Sequence, residues 1–237
     1  MRGFGKLFSG KGCAVWLLCL SLAVMFRPGV VYCSENVTYQ DVSFKLYDEI
    51  AVVTIPAFHE RVCEQTLEIL QELNDDGVAN IILDLRGNIG GLFDEAVDTA
   101  RLFIKDGIIC TLYIEGREPV EYHATGTEAD YNVAVLVNAF TASSAELLAS
   151  VIQESGCGVL IGTQTFGKNS VQRVTPTDNG ENGKSTVGYF LTRNGADISG
   201  AGLTPDYKVR VDRRNNTDTD DQLQKALELN ISHPLTI

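Results

Sequence analysis

The sequence predicts an α/β protein whose last third is richer in β-structure. From Tyr39 onward, short apolar runs alternate with amphipathic stretches of helical spacing. In the final third, apolar runs typical of strands are separated by turn residues. The composition, with 44% hydrophobic and 21% charged residues over 237 positions, is that of an ordinary globular domain. Disordered and fibrous classes are therefore excluded.

The individual elements follow from these patterns in chain order. Apolar runs predict buried strands at residues 50–55, 80–83, 108–114, 133–137 and 158–161. Apolar residues at helical spacing predict helices at residues 66–73, 93–104, 143–154 and 218–229. The β-rich runs of the final third lie at residues 170–174 and 185–192, with a turn-rich segment at 177–184 between them. No internal repeat is evident, so we expect one continuous domain.

The first 33 residues are predicted to be an export segment. Basic residues precede an apolar run at 13–26, and no acidic residue appears before Glu35. The run is shorter than the roughly 20 residues that a membrane-spanning helix needs, which favours a cleaved signal peptide. A retained anchor, associated with the membrane through residues 13–26, stays open because residues 29–33 offer no small-residue cleavage site. In both cases we expect the protein to be exported.

The charge balance argues against nucleic acid as a partner. The formal net charge is −12, with 19 basic and 31 acidic residues, and residues 1–33 contribute only basic ones. The remainder is therefore more acidic than the whole chain. No basic stripe or aromatic-rich basic patch interrupts this field, which repels phosphate backbones.

Cysteine and histidine spacing predicts neither a metal site nor a disulfide framework. Three of the six cysteines lie in the export segment, and Cys63, Cys110 and Cys157 are widely spaced in the remainder. One bridge could join two of these three, but the spacing does not show which two. No CxxC or Cys/His spacing typical of metal ligands occurs. We therefore expect no metal and no other cofactor.

Two loops, each after a predicted strand, carry features that packing does not require. The first, residues 84–91 (DLRGNIGG), has three glycines before a predicted helix. Glycines let a backbone approach a ligand closely, and N–H groups at a helix start suit an anion. The alternative is a plain strand-to-helix turn. Within the loop, Asp84 and Arg86 predict a structural ion pair.

The second loop is residues 138–146 (NAFTASSAE). Ser143 followed three residues later by Glu146 fits a helix capping box, which involves no chemistry. A catalytic interpretation is favoured by residues 162–172 (GTQTFGKNSVQ), where Lys168 lies between a glycine turn and a strand. Ser143 is thus a cap or a nucleophile, and Lys168 is a solvent-facing lysine at a strand edge or the base for that nucleophile.

Ser and Lys can carry out acyl transfer if the lysine amine is unprotonated. A hydroxyl attacks a carbonyl only when a partner removes its proton. An ordinary lysine has a pKa of about 10.4, and desolvation in a folded core lowers such a pKa. Gln172 falls on the same face of an extended run as Lys168, where its amide could hold the amine without adding charge. The Gly90 and Gly91 loop and the Ser144 N–H could donate to an oxyanion.

Other hydrolytic arrangements fit less well. No GxSxG turn occurs, and none of the histidines lies in a glycine- or serine-rich loop at a strand end, which disfavours a Ser/His/Asp triad. Carboxyl groups gather near the first loop, but they form no distinctive pair of the kind that carboxylate hydrolases use.

Four strings resemble the successive motifs of the C-terminal processing peptidases, the tail-specific proteases of family S41. They are DLRGNIGGLFDEA, VLVNAFTASSAELLA, IGTQTFGKNSVQ and GLTPDYKV, in matching order and spacing over about 160 residues. The resemblance implies a ClpP/crotonase-like core of stacked β-sheet and helices, and serine endopeptidase activity.

The resemblance also implies a role for each site residue. Ser143 is implied as the nucleophile, Lys168 as the general base and Gln172 as the residue that assists it. Gly90 and Gly91 match the glycines from which the family draws an oxyanion donor. Composition alone could shift the nucleophile to Ser144, but the spacing to Glu146 and Lys168 favours Ser143.

Several positions depart from the family pattern, and none of them removes a reacting group. Ile89 replaces a proline, Thr141 and Ala145 replace serines, and Asn169 replaces the glycine after the lysine. Only about 15 residues separate the export segment from the first predicted strand, too few for the PDZ domain that recognises substrate C-termini in the family. We therefore expect residues 34–237 to be a catalytic domain without a PDZ domain.

The resulting prediction is an exported endopeptidase that acts on polypeptides in the periplasm, the cell envelope or outside the cell. A separate partner could supply substrate recognition. The alternative is a catalytically silent or partner-dependent peptide-binding module on the same fold. A crotonase-like acyl-CoA enzyme is disfavoured by the lysine motif and the export segment.

Overall fold

The computed structural model describes residues 40–126, 131–176, 182–210 and 220–232. The predicted export segment, residues 1–33, lies outside the described residues, as does most of the turn-rich segment at 177–184. No helix in the described ranges is both long and apolar enough to cross a membrane. Within these ranges the predicted α/β class is confirmed.

A six-stranded sheet forms the centre of the domain. Its strands are, in spatial order, β1 (Ser43–Tyr47), β2 (Ile50–Thr54), β3 (Asn80–Asp84), β6 (Asn132–Val137), β7 (Gly158–Gly162) and β10 (Tyr207–Lys208). β1 runs antiparallel to β2, and the other neighbours are parallel. Parallel strands end at the same edge, so loops that follow them along the chain meet there.

A second sheet is antiparallel and contains four strands. Its spatial order is β5 (Val120–His123), β4 (Ile108–Ile114), β9 (Asn182–Leu191) and β8 (Ser170–Pro176). The helices are α1 (Val62–Asp75), α2 (Phe93–Arg101), α3 (Ser144–Ser155) and α4 (Asp221–Ser232).

The core lies on both faces of the six-stranded sheet because side chains alternate along a strand. From β2, Ala51 and Val53 enter a large cluster with α1, α2, α3 and the second sheet. Ile50 and Val52 enter a smaller cluster on the other face, which includes Ala226 of α4. Coverage of both faces explains why these strands read as uninterrupted apolar runs.

The observed bounds of the helices and strands follow the predicted ones, except where contacts with other parts of the fold change them. The strand predicted at 108–114 has those bounds in the structure. The first helix begins at Val62, four residues before the predicted start, because the Glu95 carboxyl group of α2 accepts the backbone N–H groups of Arg61 and Cys63. β1, β5 and β10 were not predicted.

The three cysteines in the described residues are free thiols, so none of the conceivable bridges joins them. Cys110 is fully buried, and burial raises its pKa to about 12. Burial, followed by the charges of Asp98 and Glu95, raises the pKa of Cys63 to about 11. A raised pKa leaves a thiol less ionised at neutral pH and therefore a weaker nucleophile.

Candidate active site

Three loops meet at the carboxyl edge of the six-stranded sheet. They follow β3, β6 and β7, and they carry the predicted glycines, the predicted serine and the predicted lysine, respectively. Backbone hydrogen bonds join them: Ala142 N donates to Asn88 O (2.9 Å), and Phe166 N donates to Thr141 O (3.0 Å). The fold therefore brings together the three segments that the sequence singled out separately.

Ser143 lies at the sharp turn between β6 and α3. Its φ is 56° and its ψ is −120°, a combination that residues other than glycine rarely adopt and that is typical of strained functional positions. The residue is half-buried and precedes the first residue of α3. A strained serine between a strand and a helix resembles the turn that presents a nucleophile in other hydrolases.

Ser144 has a different environment. It is buried, and its hydroxyl donates a hydrogen bond to Gly91 O at 3.0 Å. A hydroxyl that already binds the glycine loop is poorly placed to attack a substrate. The two serines thus have different environments in the structure, whereas the sequence could distinguish them only by spacing.

Glu146 connects the serine loop to the lysine loop. Its side chain is completely buried. Oε2 accepts the backbone N–H of Ser143 (3.0 Å) and that of Lys168 (2.8 Å). Oε1 accepts the hydroxyl of Thr165 (2.5 Å) and the backbone N–H of Gly167 (2.7 Å). Four donors replace the water that this carboxyl group would otherwise bind.

This arrangement fixes how close the two loops come. Because the Ser143 and Lys168 N–H groups bind the same oxygen atom, their nitrogens are no more than about 6 Å apart. The capping partner predicted for Ser143 is present, since the Glu146 carboxyl group accepts the Ser143 N–H. The same side chain also holds the lysine, so the structural and catalytic interpretations of this motif are compatible.

The glycine loop is held by Asn88, which is fully buried. Its side-chain amide donates to Ile55 O (2.8 Å), and its side-chain oxygen accepts the Gly90 N–H (2.8 Å). The Gly90 N–H therefore already has an acceptor inside the protein.

Gly91 lies against both the preceding loop and α3. It forms a parallel bridge with Phe58, flanked by Phe58 N–Gly90 O (3.0 Å) and Leu92 N–Phe58 O (2.6 Å). Its carbonyl accepts the Ser144 hydroxyl. Within the described ranges, neither the Gly91 N–H nor the Ser144 N–H has an acceptor, so two donors remain at the start of α3.

Lys168 is half-buried, and Gln172 lies four residues further on, exposed in β8. Gln172 pairs with Thr186 next to an irregularity in the β8–β9 register. Among the described residues, no hydrogen bond joins the Lys168 amine to the Ser143 hydroxyl or to the Gln172 amide. Catalytic hydrogen bonds are often long without substrate and tighten when it binds.

Asn169 fixes the chain directly after the lysine. This residue stands where the resembled family has glycine, and it is buried. Its backbone oxygen accepts the Phe190 N–H (3.0 Å), and its amide donates to Phe190 O (3.0 Å) and Asp197 Oδ1 (2.9 Å). Lys168 is thus held by Glu146 on one side and by β9 on the other.

The predicted ion pair of Asp84 and Arg86 is confirmed, at 2.6 Å, and it extends to Asp220 before α4, at 2.7 Å. Burial alone would lower the pKa of Arg86, but the hydrogen bonds and charges of Asp84 and Asp220 raise it above its usual value. The cation remains charged and ties the glycine loop to the helix on the opposite face of the sheet. In the described part of the chain, no cluster of three acidic, histidine or cysteine side chains could hold a metal.

If Ser143 is the nucleophile that the resemblance implies, replacing Gly90 by alanine is expected to lower kcat/KM by about 100-fold. A Cβ at this position would lie 2.8 Å from Ser143 Cβ and 2.9 Å from Ala142 O. The methyl group would therefore displace the serine turn. Steady-state cleavage of a fluorogenic peptide measures the effect.

Gly87→Ala is the matched control for Gly90→Ala. Gly87 belongs to the same loop and also has a positive φ, but nothing lies within 4 Å of a Cβ built on it. This variant is expected to lower stability by about 1 kcal/mol through backbone strain and to retain kcat/KM. Equal losses of activity in both variants would show that strain in the loop, and not contact with Ser143, matters.

Glu146, Asn88 and Thr165 were not predicted as parts of the site. Glu146 was visible only as a capping partner, since a capping box gives no sign of contacts with a loop 19–22 residues away. Asn88 and Thr165 lie inside the recognised strings, but nothing in their spacing showed which backbone groups they bind. Their roles depend on the loops meeting in three dimensions.

Comparisons with known proteins agree with this geometry. The sequence model of peptidase family S41 matches residues 49–209. The carboxy-terminal processing protease CtpA of Bacillus subtilis is 35% identical over 166 residues, which cover 69% of this chain and 36% of that protein. The chloroplastic carboxyl-terminal-processing peptidase 1 of Arabidopsis thaliana is 29% identical over 207 residues, covering 86% and 41%. The chain thus spans about two fifths of the length of these relatives.

A solved structure shows the same similarity. The photosystem II D1 C-terminal processing protease superposes with a TM-score of 0.66 at 29% identity, covering 74% of this chain and 50% of that one. The fold and the sequence therefore relate this chain to the same group of peptidases.

Proposed function

The chain belongs to peptidase family S41, and we propose that it hydrolyses peptide bonds with Ser143 as nucleophile and Lys168 as general base. The observation that carries this proposal is the shared oxygen of Glu146, which binds the N–H groups of both residues. It holds the strained serine and the lysine on facing loops, as a dyad requires.

In the proposed reaction, Ser143 Oγ attacks the carbonyl carbon of the scissile bond, and the Lys168 amine takes the hydroxyl proton. The negative charge that develops on the carbonyl oxygen is stabilised by the Gly91 and Ser144 N–H groups. Collapse of this intermediate breaks the C–N bond, and Lys168 returns the proton to the leaving amine. Water then attacks the acyl-enzyme with Lys168 again taking a proton, which releases the carboxyl product and restores Ser143.

Gln172 is proposed to assist Lys168 when substrate is bound. The proposal is supported by its exposed position in β8, four residues after Lys168. The protein is further proposed to act on polypeptides after export, on the grounds of its N-terminal sequence. One of its relatives is named as chloroplastic, and this description applies to that relative alone.

The dyad is tested by labelling with a fluorophosphonate that reacts only with an activated serine. Wild-type protein is expected to label, and Lys168→Ala is expected to label about 10²–10⁴-fold more slowly, as loss of a general base predicts. Lys184→Ala, which removes an exposed lysine from β9 of the second sheet, is the matched control and should label at the wild-type rate.

The same experiment separates the enzyme from a silent peptide-binding module on the same fold. Such a module would bind peptides but show neither labelling nor cleavage of casein, with or without Lys168. Absence of labelling in folded wild-type protein would therefore refute the proposed function.

A further inference from the structure

The three large apolar side chains with the highest exposure among the described residues lie on the three loops of the candidate site. Ile89 is 70% exposed, Phe140 is 68% exposed and Phe166 is 61% exposed. The next most exposed are Leu46 and Val120, each at 50%, on strands outside the site loops. We call Ile89, Phe140 and Phe166 the apolar rim.

Each rim residue belongs to a different loop of the site, and the loops are fixed together next to it. Asn88, the neighbour of Ile89, accepts the Ala142 N–H, and Thr141, the neighbour of Phe140, accepts the N–H of Phe166 itself. The three side chains therefore originate around a single point. Ser143 is at this point, since the residue after Ile89 is the glycine that approaches Ser143 most closely.

Further hydrogen bonds hold the loops that carry the rim. The Phe140 N–H donates to Asn138 Oδ1 (2.9 Å), which also accepts the Gly87 N–H (3.1 Å). Phe166 precedes the glycine and the lysine whose N–H groups bind Glu146. Single exposed apolar side chains need no explanation, but a cluster of them on loops held together by hydrogen bonds marks a binding surface.

We propose that the apolar rim binds apolar side chains of the substrate next to the scissile bond, and so selects the bond that is cleaved. This inference rests on the proposed peptidase function. In an extended peptide, successive side chains point to opposite sides at about 3.3 Å per residue. A peptide lying across Ser143 can therefore place apolar side chains against rim residues on both sides of the site.

The position of the rim argues for substrate over any permanent occupant. A second copy of the chain or a lipid surface that covered these side chains would also cover Ser143 and exclude substrate. A substrate residue leaves the rim after each turnover, so it does not block Ser143. Because the rim would bind residues next to the cleaved bond, this contact does not depend on how far that bond lies from the substrate's C-terminus.

The test compares two peptides that differ only around one bond. A bond in casein that wild-type protein cleaves is identified by mass spectrometry and is placed in fluorogenic peptides. One peptide has leucine, and the other serine, at the two residues on each side of that bond. Wild-type protein is expected to cleave the leucine peptide with a kcat/KM at least about tenfold higher. C-terminal amidation should leave this ratio unchanged.

Phe140→Ser and Phe166→Ser are each expected to lower this leucine-to-serine ratio by about tenfold, mainly through a higher KM. Leu46→Ser, which makes the same kind of change on β1, is the control and should keep the wild-type ratio. An unchanged ratio in both phenylalanine variants would overturn the proposal. The proposal would also be overturned if wild-type protein sedimented as a dimer and the phenylalanine variants lost this dimer but kept the wild-type leucine-to-serine ratio. The rim would then bind a second copy of the chain.

Failure of this proposal is distinguishable from failure of the peptidase function. If wild-type protein does not label with the fluorophosphonate, the proposed function itself is refuted. If wild-type protein labels and cleaves but does not distinguish the leucine peptide from the serine peptide, only the role of the rim is refuted.

Discussion

Ser143→Ala is expected to lower kcat for peptide hydrolysis by about 10⁴-fold or more, since it removes the group that forms the acyl-enzyme. The melting temperature should fall by no more than a few degrees, because alanine experiences the same backbone strain as serine at a φ of 56° and only the capping contact of the hydroxyl with the start of α3 is lost. Steady-state kinetics and thermal unfolding of the same preparation measure both effects.

Ser144→Ala is the control for Ser143→Ala, and it is expected to lower stability while most of the activity is retained. It removes the hydroxyl of the buried Ser144 that donates to the carbonyl of the exposed Gly91. Loss of this partly buried hydrogen bond costs about 0.5–1.5 kcal/mol, which lowers the melting temperature by a few degrees. The Ser144 N–H remains, so activity should stay within about tenfold of wild type. If Ser144→Ala abolished hydrolysis while Ser143→Ala did not, the nucleophile would be Ser144.

The contrast between these serines illustrates what the sequence could predict. The carboxyl ends of predicted strands gave the positions of all three site loops, because parallel strands with apolar runs are easy to recognise. Spacing favoured Ser143 over Ser144. Only the backbone conformation of Ser143 and the hydrogen bond from the Ser144 hydroxyl to Gly91 O show physically how the two serines differ.

The elements that escaped prediction are short and largely exposed. β1 has no buried residue, and β10 has two residues, both exposed. Such strands lack the apolar alternation on which prediction depends, and their neighbours in the sheet determine their conformation. The early start of α1 is another tertiary effect, since the carboxyl group that caps it belongs to a different helix.

The apolar rim escaped prediction for a related reason. Ile89 and Phe140 read as ordinary loop residues, and nothing in their spacing places them near Phe166. Exposure of an apolar side chain has meaning only when its neighbours in space are known. Residues that contact substrate without taking part in chemistry are therefore the hardest to find from one sequence.

Glu146→Gln is expected to weaken both stability and activity. In wild type, each carboxyl oxygen accepts two hydrogen bonds. The amide of glutamine offers one oxygen, and its NH₂ group must face donors on the other side, so at least one buried N–H loses its acceptor. The cost is about 2–5 kcal/mol, which lowers the melting temperature by about 5–20 °C. Displacement of the serine turn and the lysine loop should reduce kcat/KM by about 100-fold.

Glu154→Gln on the same helix is the matched control, because its geometry tolerates the exchange. One oxygen of Glu154 accepts the Thr192 hydroxyl (2.7 Å), and the other accepts the Asn194 N–H (2.7 Å). A glutamine oxygen can still accept from Asn194, while its NH₂ group donates to the second lone pair of Thr192 Oγ1, whose other lone pair accepts the Ala196 N–H (3.1 Å). No backbone N–H therefore loses its acceptor. Stability should fall by less than about 1 kcal/mol, and kcat/KM should be retained. If Glu146→Gln were equally mild, the shared oxygen would not hold the two loops, and the positioning of Ser143 relative to Lys168 would have to come from other contacts.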